Sequence, residues 1–468
     1  MKPFREAEAL FAALRESAKP EAVAAIERLI TEAPDRALCR INALAFTAEH
    51  KLNEEDVIAA FLHAAQLGIF DLSWNILCPG CGGVLNSGTT LKTVNQADYS
   101  CALCAAAYEP TLDEMVEVTF TISPRVRKIA AHDPQTLPWI EYFRQLFWSS
   151  GVDLPNDDKL ANLIKEITLQ TVELPPGEKV ELSLQAPEEF LIVFDPVAHM
   201  SQFIDVKGEP TREQQSLAFV MTKDHAPAGT LEMRPGPLRI FLENRSASRT
   251  LPGIWIAGDK LHDLLGRRRA FLTAKRLLTN QTFRDIYRTD TLAVDQRLKI
   301  TSLTFLFTDL KGSTELYERV GDLAAFDLVR AHFRVLNKIV AEQKGAVVKT
   351  IGDAVMATFP TPDRAMAAAF KMREAVKDLN GDLLLKIGIH TGPCLAVSLN
   401  DRQDYFGQTV NIAARVQGLA TSRSIFATRE VVADSESCRL LKENRIAATP
   451  QTRSLRGIAN QFEIFEIP

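Results

Sequence analysis

The sequence predicts an α+β protein with several cores: an N-terminal helical module, a cysteine ribbon, a β-sandwich-like middle and a C-terminal ferredoxin-like domain. Three observations carry that expectation. The 468 residues exceed one ordinary core. The apolar period changes along the chain, from helical before Phe70 to alternating between about 111 and 260, and then to strands interleaved with helices after 299. Finally, four cysteines stand as two close pairs, Cys78/Cys81 and Cys101/Cys104.

From Phe4 to Phe70 apolar residues recur at helical spacing, as in Ala22, Ile26, Leu29 and Ile30, and again in Val57, Phe61, Ala64 and Ala65. Pro20, Pro34-Asp35 and Asn53 divide the stretch into about four short helices, with Asp35 and Asn53 at N-cap positions. Residues 1–72 therefore form a helical module. The winged helix is its nearest analogy, but no basic recognition helix accompanies it.

Cys78-Pro-Gly-Cys81 and Cys101-Ala-Leu-Cys104 are separated by 19 residues, close to the spacing of zinc ribbons. Gly80 and Gly82-Gly83 let each knuckle curl, and a hairpin between the knuckles brings the pairs together. Four thiolates leave no open coordination position, so a Zn²⁺ held by Cys78, Cys81, Cys101 and Cys104 in a ribbon at 73–110 is structural.

Residues 111–260 alternate and are rich in β-branched residues: Val116 to Ile122, Val180 to Leu184, Phe190 to Phe194 and Leu238 to Leu242. Pro-Gly turns at 176–177 and 235–236 favour an antiparallel sandwich, with a helical interlude near 136–149. Leu261 to Tyr287 returns to helical spacing, so 261–298 reads as a helical connector. Its Arg267-Arg268-Arg269 run reads as a solvated or interdomain face, with contact to an anionic ligand as the alternative.

The last 170 residues, 299–468, carry the densest chemistry. Phe305-Leu-Phe-Thr-Asp309 ends a β-like run in a carboxylate, and Gly345-Ala-Val-Val-Lys-Thr-Ile-Gly-Asp353 repeats the pattern one α/β unit later. The order β-α-β-β-α-β, with strands near 302–308, 345–350, 354–359, 383–389 and 392–398 and helices through 313–343, 362–379 and 406–420, is ferredoxin-like. That order lays the first strand antiparallel to the third and brings Asp309 to Asp353. Two carboxylates meeting at a strand end suit Mg²⁺ or Mn²⁺ with substrate phosphates. Lys311-Gly312-Ser313-Thr314 opens a helix whose free N–H groups and dipole favour phosphate oxygens.

With Asp404-Tyr-Phe-Gly-Gln-Thr-Val-Asn411-Ile-Ala-Ala-Arg415 added, residues 299–468 resemble the catalytic domain of class III adenylyl/guanylyl cyclases. The region ahead of it resembles a domain of unassigned function found before bacterial class III cyclases. The resemblance implies conversion of ATP to cyclic AMP and pyrophosphate, two metal ions per site on Asp309 and Asp353, and a head-to-tail homodimer. By the same resemblance Lys349 and Asp404 read adenine, Asn411 orients the ribose, Arg415 faces the α-phosphate and Arg456 reaches the terminal phosphates. Lys349 and Asp353 stand four strand steps apart, roughly 13 Å, which fits a site assembled from two protomers. A lysine facing the N1–H of guanine sets donor against donor at a cost of about 1 to 3 kcal/mol, so ATP is favoured over GTP.

With 54 basic against 59 acidic residues, the chain offers no field for nucleic acid or anionic membrane. No apolar run reaches the roughly 18 residues of a membrane span, and the N-terminus lacks a signal-like core, which predicts a cytoplasmic protein. The N-terminal region is expected to answer to an unidentified regulatory ligand or protein. The rival readings are a catalytically silent nucleotide-binding signalling module and a zinc-ribbon transcriptional regulator.

Overall fold

A computed structural model of the chain describes residues 5–94, 99–222, 229–287, 292–293, 295–311, 318–379, 384–399, 402–420, 424–458 and 461–468. The chain forms two compact units. One comprises Met1–Thr89, Ala97–Pro110 and Glu114–Leu272; the other comprises Thr90–Gln96, Thr111–Asp113 and Thr273–Pro468.

The first unit begins with helices α1 (Arg5–Ser17), α2 (Pro20–Glu32), α3 (Ala43–His50) and α4 (Glu54–Gln66). The expected faces are buried: Ala22, Ile26 and Ile30 on α2, and Val57, Phe61 and Ala64 on α4. Asn53 caps α4, its side-chain oxygen accepting from Glu55 N at 2.9 Å and Asp56 N at 3.2 Å. Asp35 is no cap. Pro34 takes that place, and the Asp35 carboxylate instead accepts from Arg127 at 2.7 Å. Strands β1 (Phe70–Leu77), β2 (Val84–Gly88) and, beyond the hairpin of β3 (Tyr99–Cys101) and β4 (Ala106–Tyr108), β5 (Val116–Ile122) follow. β1 lies between β2 and β5, all antiparallel. Phe61 stacks on Phe120 of β5 with ring centroids 5.0 Å apart. Val116 to Ile122 therefore belongs with the helices rather than the sandwich, because its apolar side chains complete their core.

After α5 (Trp139–Tyr142) and its π-turn, α6 (Asp157–Ile167) leads into β6 (Thr168–Thr171), β7 (Lys179–Ala186), β8 (Phe190–Asp195), β9 (Met200–Val206), β10 (Gln215–Met221), β11 (Thr230–Met233), β12 (Gly236–Asn244) and β13 (Gly253–Ile256). They make two sheets, β10-β12-β7 and β11-β9-β8-β13-β6. Alternate residues such as Leu217, Phe219, Leu238, Ile240, Leu191 and Val193 fill one shared core. The sandwich is mixed where an antiparallel one was expected, since β10 runs parallel to β12 and β11 parallel to β9.

The expected connector helix is three short helices: α7 (Asp259–Gly266), α8 (Ala274–Leu278) and α9 (Gln281–Ile286). Internal caps interrupt it. Thr273 Oγ1 accepts from Arg276 N at 3.1 Å and Asn280 Oδ1 from Phe283 N at 2.9 Å, so each residue starts a new helix. α7 belongs to the first unit, whereas α8 and α9 belong to the second.

The second unit continues with β14 (Leu298–Lys311), α10 (Asp322–Glu342), β15 (Ala346–Ile351), β16 (Ala354–Phe359), α11 (Pro362–Leu379), β17 (Leu384–Leu399), β18 (Arg402–Phe406), α12 (Gln408–Leu419), β19 (Ile425–Thr428), α13 (Arg429–Val432), α14 (Ser435–Glu443), β20 (Thr449–Ser454) and β21 (Gln461–Ile467). The sheet order is β15-β16-β14-β17-β19-β21-β20, with β18 against β17. The two strands expected at 383–389 and 392–398 are one strand, β17, which pairs with β14 across Pro393. Leu306, Val355, Ile387 and Ile389 pack beneath α10 and α11 residues such as Leu336, Val340, Met366 and Met372. Among the described residues no helix is long and apolar enough to cross a membrane.

Candidate active site and cysteine centre

β14 and β16 pair antiparallel with Thr308 opposite Val355, so Asp309 and Asp353 arrive at the same edge from opposite directions. Gly352, at φ 63°, makes the turn that delivers Asp353. Burial, and then the nearby Asp353 charge, push the Asp309 carboxyl above its ordinary value, against Lys386 and Gln417. Asp353 Oδ2 is buried without a hydrogen-bond partner. Two half-buried carboxylates at one edge, that of Asp309 pushed up by burial and by Asp353, and that of Asp353 with an orphaned oxygen, fit a divalent cation.

Lys349 on β15 and Asp404 on β18 meet directly: Nζ lies 2.5 Å from Oδ2. Asp404 is nearly enclosed, with a side chain 10% exposed, and its Oδ1 accepts from Tyr405 N at 2.9 Å; the lysine side chain is 44% exposed. An enclosed acceptor thus stands beside a half-exposed donor.

Asn411 and Arg415 lie one turn apart on α12. Asn411 is exposed, whereas Arg415 Nη1 is buried without a partner. α12 sits close to β17 because Gly388 has no side chain; a Cβ there would lie 2.1 Å from Gln417 N. The Arg415 guanidinium faces Gly457, the residue that follows exposed Arg456. Lys311 closes β14, and Gly312, Ser313 and Thr314 lie outside the described residues.

The structure thus forms three groups, Asp309/Asp353, Lys349/Asp404 and Arg415/Arg456 with Asn411. Among the described residues no hydrogen bond or ion pair joins one group to another.

Residues the sequence reading missed surround them. Arg284 on α9 donates from Nη2 to Gln403 O at 2.9 Å and Val348 O at 3.4 Å, the residues immediately before Asp404 and Lys349. Gln281 Oε1 accepts from Val347 N at 2.8 Å. His332 on α10 is fully buried with neither ring nitrogen bonded, and burial holds it down to about 4 against the Asp353 charge. No local motif marks these residues; only the alternation of apolar and polar positions on α9 and α10 hints at them.

In the first unit the four ribbon cysteines converge, with all their sulfurs within 4.8 Å of one another. Cys78 Sγ is 3.6 Å from Cys104 Sγ, and Cys81 Sγ is 3.6 Å from Cys101 Sγ. Hydrogen bonds from the Cys101, Cys104 and Cys81 thiols pull the Cys78 thiol down, while Cys101, facing Cys104 and Cys78, is pushed up. Phe143, Phe147 and Trp148 pack around the cluster.

Two family models match the chain. Residues 4–285 match the family model described as "Family of unknown function (DUF5939)", and residues 296–454 match "Adenylate and Guanylate cyclase catalytic domain". Adenylate cyclase 2 of Rhizobium meliloti (strain 1021) is 32% identical over 155 residues, covering 30% of this chain and 41% of that protein. The adenylate cyclase of Anabaena cylindrica is 29% identical over 182 residues, covering 35% and 34% respectively. The adenylate cyclase of Mycosarcoma maydis is 31% identical over 158 residues, 28% of this chain and 6% of that protein. The chain therefore spans well under half the length of these relatives. Among solved structures, the adenylyl cyclase CyaB from P. aeruginosa aligns with 37% of this chain and 96% of its own at 23% identity and a TM-score of 0.33. Residues 296–454 are similar to the adenylate and guanylate cyclase catalytic domain, and through residues 4–285 the chain belongs to the family of unknown function DUF5939.

Proposed function

We propose that the protein is an adenylyl cyclase that converts ATP to 3′,5′-cyclic AMP and pyrophosphate at two sites shared across a homodimer, with residues 1–272 as the regulatory part. The observation that carries this reading is the Lys349–Asp404 pair: a donor beside an acceptor matches the N1 and 6-amino edge of adenine. Curated relatives named as adenylate cyclases support it.

In this reading Lys349 donates to the ring N1, Asp404 accepts from the 6-amino group, and Asn411 holds the ribose. Arg415 places its unpartnered Nη1 at the α-phosphate, where charge develops, and Arg456, with Lys311, Gly312, Ser313 and Thr314, receives the outgoing phosphates. Two Mg²⁺ or Mn²⁺ ions on Asp309 and Asp353 would lower the pKa of the 3′-hydroxyl and neutralise the leaving pyrophosphate. Exposed Ile351, Leu399 and Phe406 flank the base-reading strands, and apolar side chains so placed support burial by a second copy. Zn²⁺ on Cys78, Cys81, Cys101 and Cys104 would be structural, since four sulfurs close the coordination sphere. Free cysteines and an ATP substrate accord with a cytoplasmic location.

The deciding experiment is turnover by the full-length protein with ATP and GTP, each with Mg²⁺ or Mn²⁺, reading cyclic nucleotide and pyrophosphate. Metal-dependent cyclic AMP formation that exceeds cyclic GMP formation is expected. Nucleotide binding without either product would establish the silent signalling module instead.

A further inference from the structure

In the first unit, the segment Arg36 to Glu49, the segment Arg144 to Leu154 and Arg269 enclose a cleft of about 280 Å³. Four arginines line it, Arg36, Arg40, Arg144 and Arg269, together with Leu29, Phe46 and Trp148; Glu49 is the only carboxylate of the lining.

Two of the arginines are already neutralised. Arg36 and Arg144 share Asp157 at 2.7 and 3.0 Å, and Arg144 also holds Glu141 at 3.1 Å. The other two have no carboxylate partner among the described residues. Arg40 donates from Nη1 to the Leu146 carbonyl, and its backbone is held in the left-handed region at φ 47°, a conformation that a bulky side chain adopts only when its surroundings impose it. Its amide N–H is fixed to Thr121 Oγ1 at 3.0 Å. Arg269 donates Nε to Ser150 O at 2.7 Å, and Asn42 Nδ2 reaches the same oxygen at 3.4 Å. The buried Glu117 carboxylate is taken by Ser150 Oγ at 2.6 Å and Asn75 Nδ2 at 3.1 Å.

Burial makes the Arg40 guanidinium costly even with the Glu117 charge nearby, neither Arg40 nor Arg269 has a carboxylate at ion-pair distance among the described residues, and the planar guanidinium fork suits carboxylate and phosphate. Apolar walls with a few convergent polar groups are the usual build of a small-molecule site. We propose that this cleft binds a small organic anion, an apolar body carrying a carboxylate or a phosphate, with its charge at Arg40 and Arg269 and its body against Phe46 and Trp148. Of the Arg267-Arg268-Arg269 run, only Arg269 serves this site; Arg268 is engaged with Gly80 O at 2.7 Å and with the Leu265 carbonyl. The site stands independently of the cyclase reading, because its test is binding rather than turnover.

Binding to the full-length protein is read by titration calorimetry and indole fluorescence, with benzoate and phenyl phosphate as probes and inorganic phosphate as the bare anion. At least one organic probe should saturate with one equivalent per chain and bind at least about fivefold more tightly than inorganic phosphate, since the apolar body adds buried area. Arg269→Gln and Arg40→Gln should each weaken it by roughly tenfold or more, the scale of a lost charge-assisted pair, while Arg415→Gln leaves it unchanged. Arg269 is exposed, so its variant carries the test if Arg40→Gln fails to fold. No saturation by either organic probe up to about 10 mM would overturn the proposal. So would binding that survives both substitutions, or binding lost in Arg415→Gln, which would place the anion in the catalytic unit.

Discussion

Lys349 Nζ and Asp404 Oδ2 stand 2.5 Å apart, so two residues 55 positions apart in sequence neutralise one another across strands β15 and β18. In the proposed function an adenine edge takes the place of that contact, giving each partner a new hydrogen bond. A guanine edge would oppose both.

Exchanging that pattern should move the substrate. Lys349→Glu with Asp404→Cys is expected to lower kcat/KM for ATP by at least about tenfold, the scale of one mismatched buried hydrogen bond, and to raise the GTP:ATP ratio. Steady-state assays with both nucleotides check this, and an unchanged ATP preference would show that the purine is read elsewhere.

The proposed sharing of each site between two protomers makes a sharper demand. Asp309→Ala and Asn411→Ala, each nearly inactive alone, should complement when mixed, because half of the dimers are mixed and each carries one intact site. Recovery approaching about a quarter of wild-type activity is expected after confirmed subunit exchange. No recovery would count against donation across the interface.

Arg284 ties Val348 O to Gln403 O, one residue ahead of Lys349 and of Asp404, the proposed base readers. Arg284→Ala should raise KM for ATP by up to roughly tenfold, about the worth of one or two hydrogen bonds, with a smaller change in kcat. A fall in kcat at constant KM would refute a role in positioning the base-reading strands.

His332 supplies a pH dependence. Burial holds it down to about 4, so the folded state resists a proton that the unfolded chain accepts near 6.5. Stability from this group is complete above about pH 6.5 and is lost as pH falls toward 4, amounting to about 3 kcal/mol. His332→Phe should therefore lose about 2 kcal/mol less stability between pH 7.5 and pH 5, read as urea midpoints of the catalytic unit. Equal acid sensitivity in both proteins would assign the effect elsewhere, with His390, also held down to about 4, as the next residue to replace.

Full-length protein should carry one Zn²⁺ per chain, and Cys78→Ser should lose it while divalent-cation activation of turnover persists, because thiolate and carboxylate sites select different metals. Elemental analysis of the two proteins decides; zinc retained in the variant would remove the ribbon assignment.

Much of the second unit was legible because its signals are local. Carboxylates that follow apolar runs, at Asp309 and Asp353, and the i, i+4 spacing of Asn411 and Arg415 depend only on neighbouring residues. The two cysteine pairs were equally plain, since each knuckle is four residues long. The connector misled because Leu264, Leu265, Leu272, Leu277 and Leu278 keep a helical stripe across the caps at Thr273 and Asn280, and periodicity does not register a cap. Val116 to Ile122 was placed in the sandwich because alternation reveals a buried strand without naming its partner.

The sequence by itself determined the residue types at each centre and the order of strands that carries them, since both follow from backbone periodicity and side-chain chemistry. Only the tertiary structure decided that Lys349 bonds Asp404, that Arg284 braces the strands behind them, and that Arg40 and Arg269 line one cleft. Those facts join positions from 55 to 229 residues apart. They depend on how sheets and helices pack, which no window of the sequence contains.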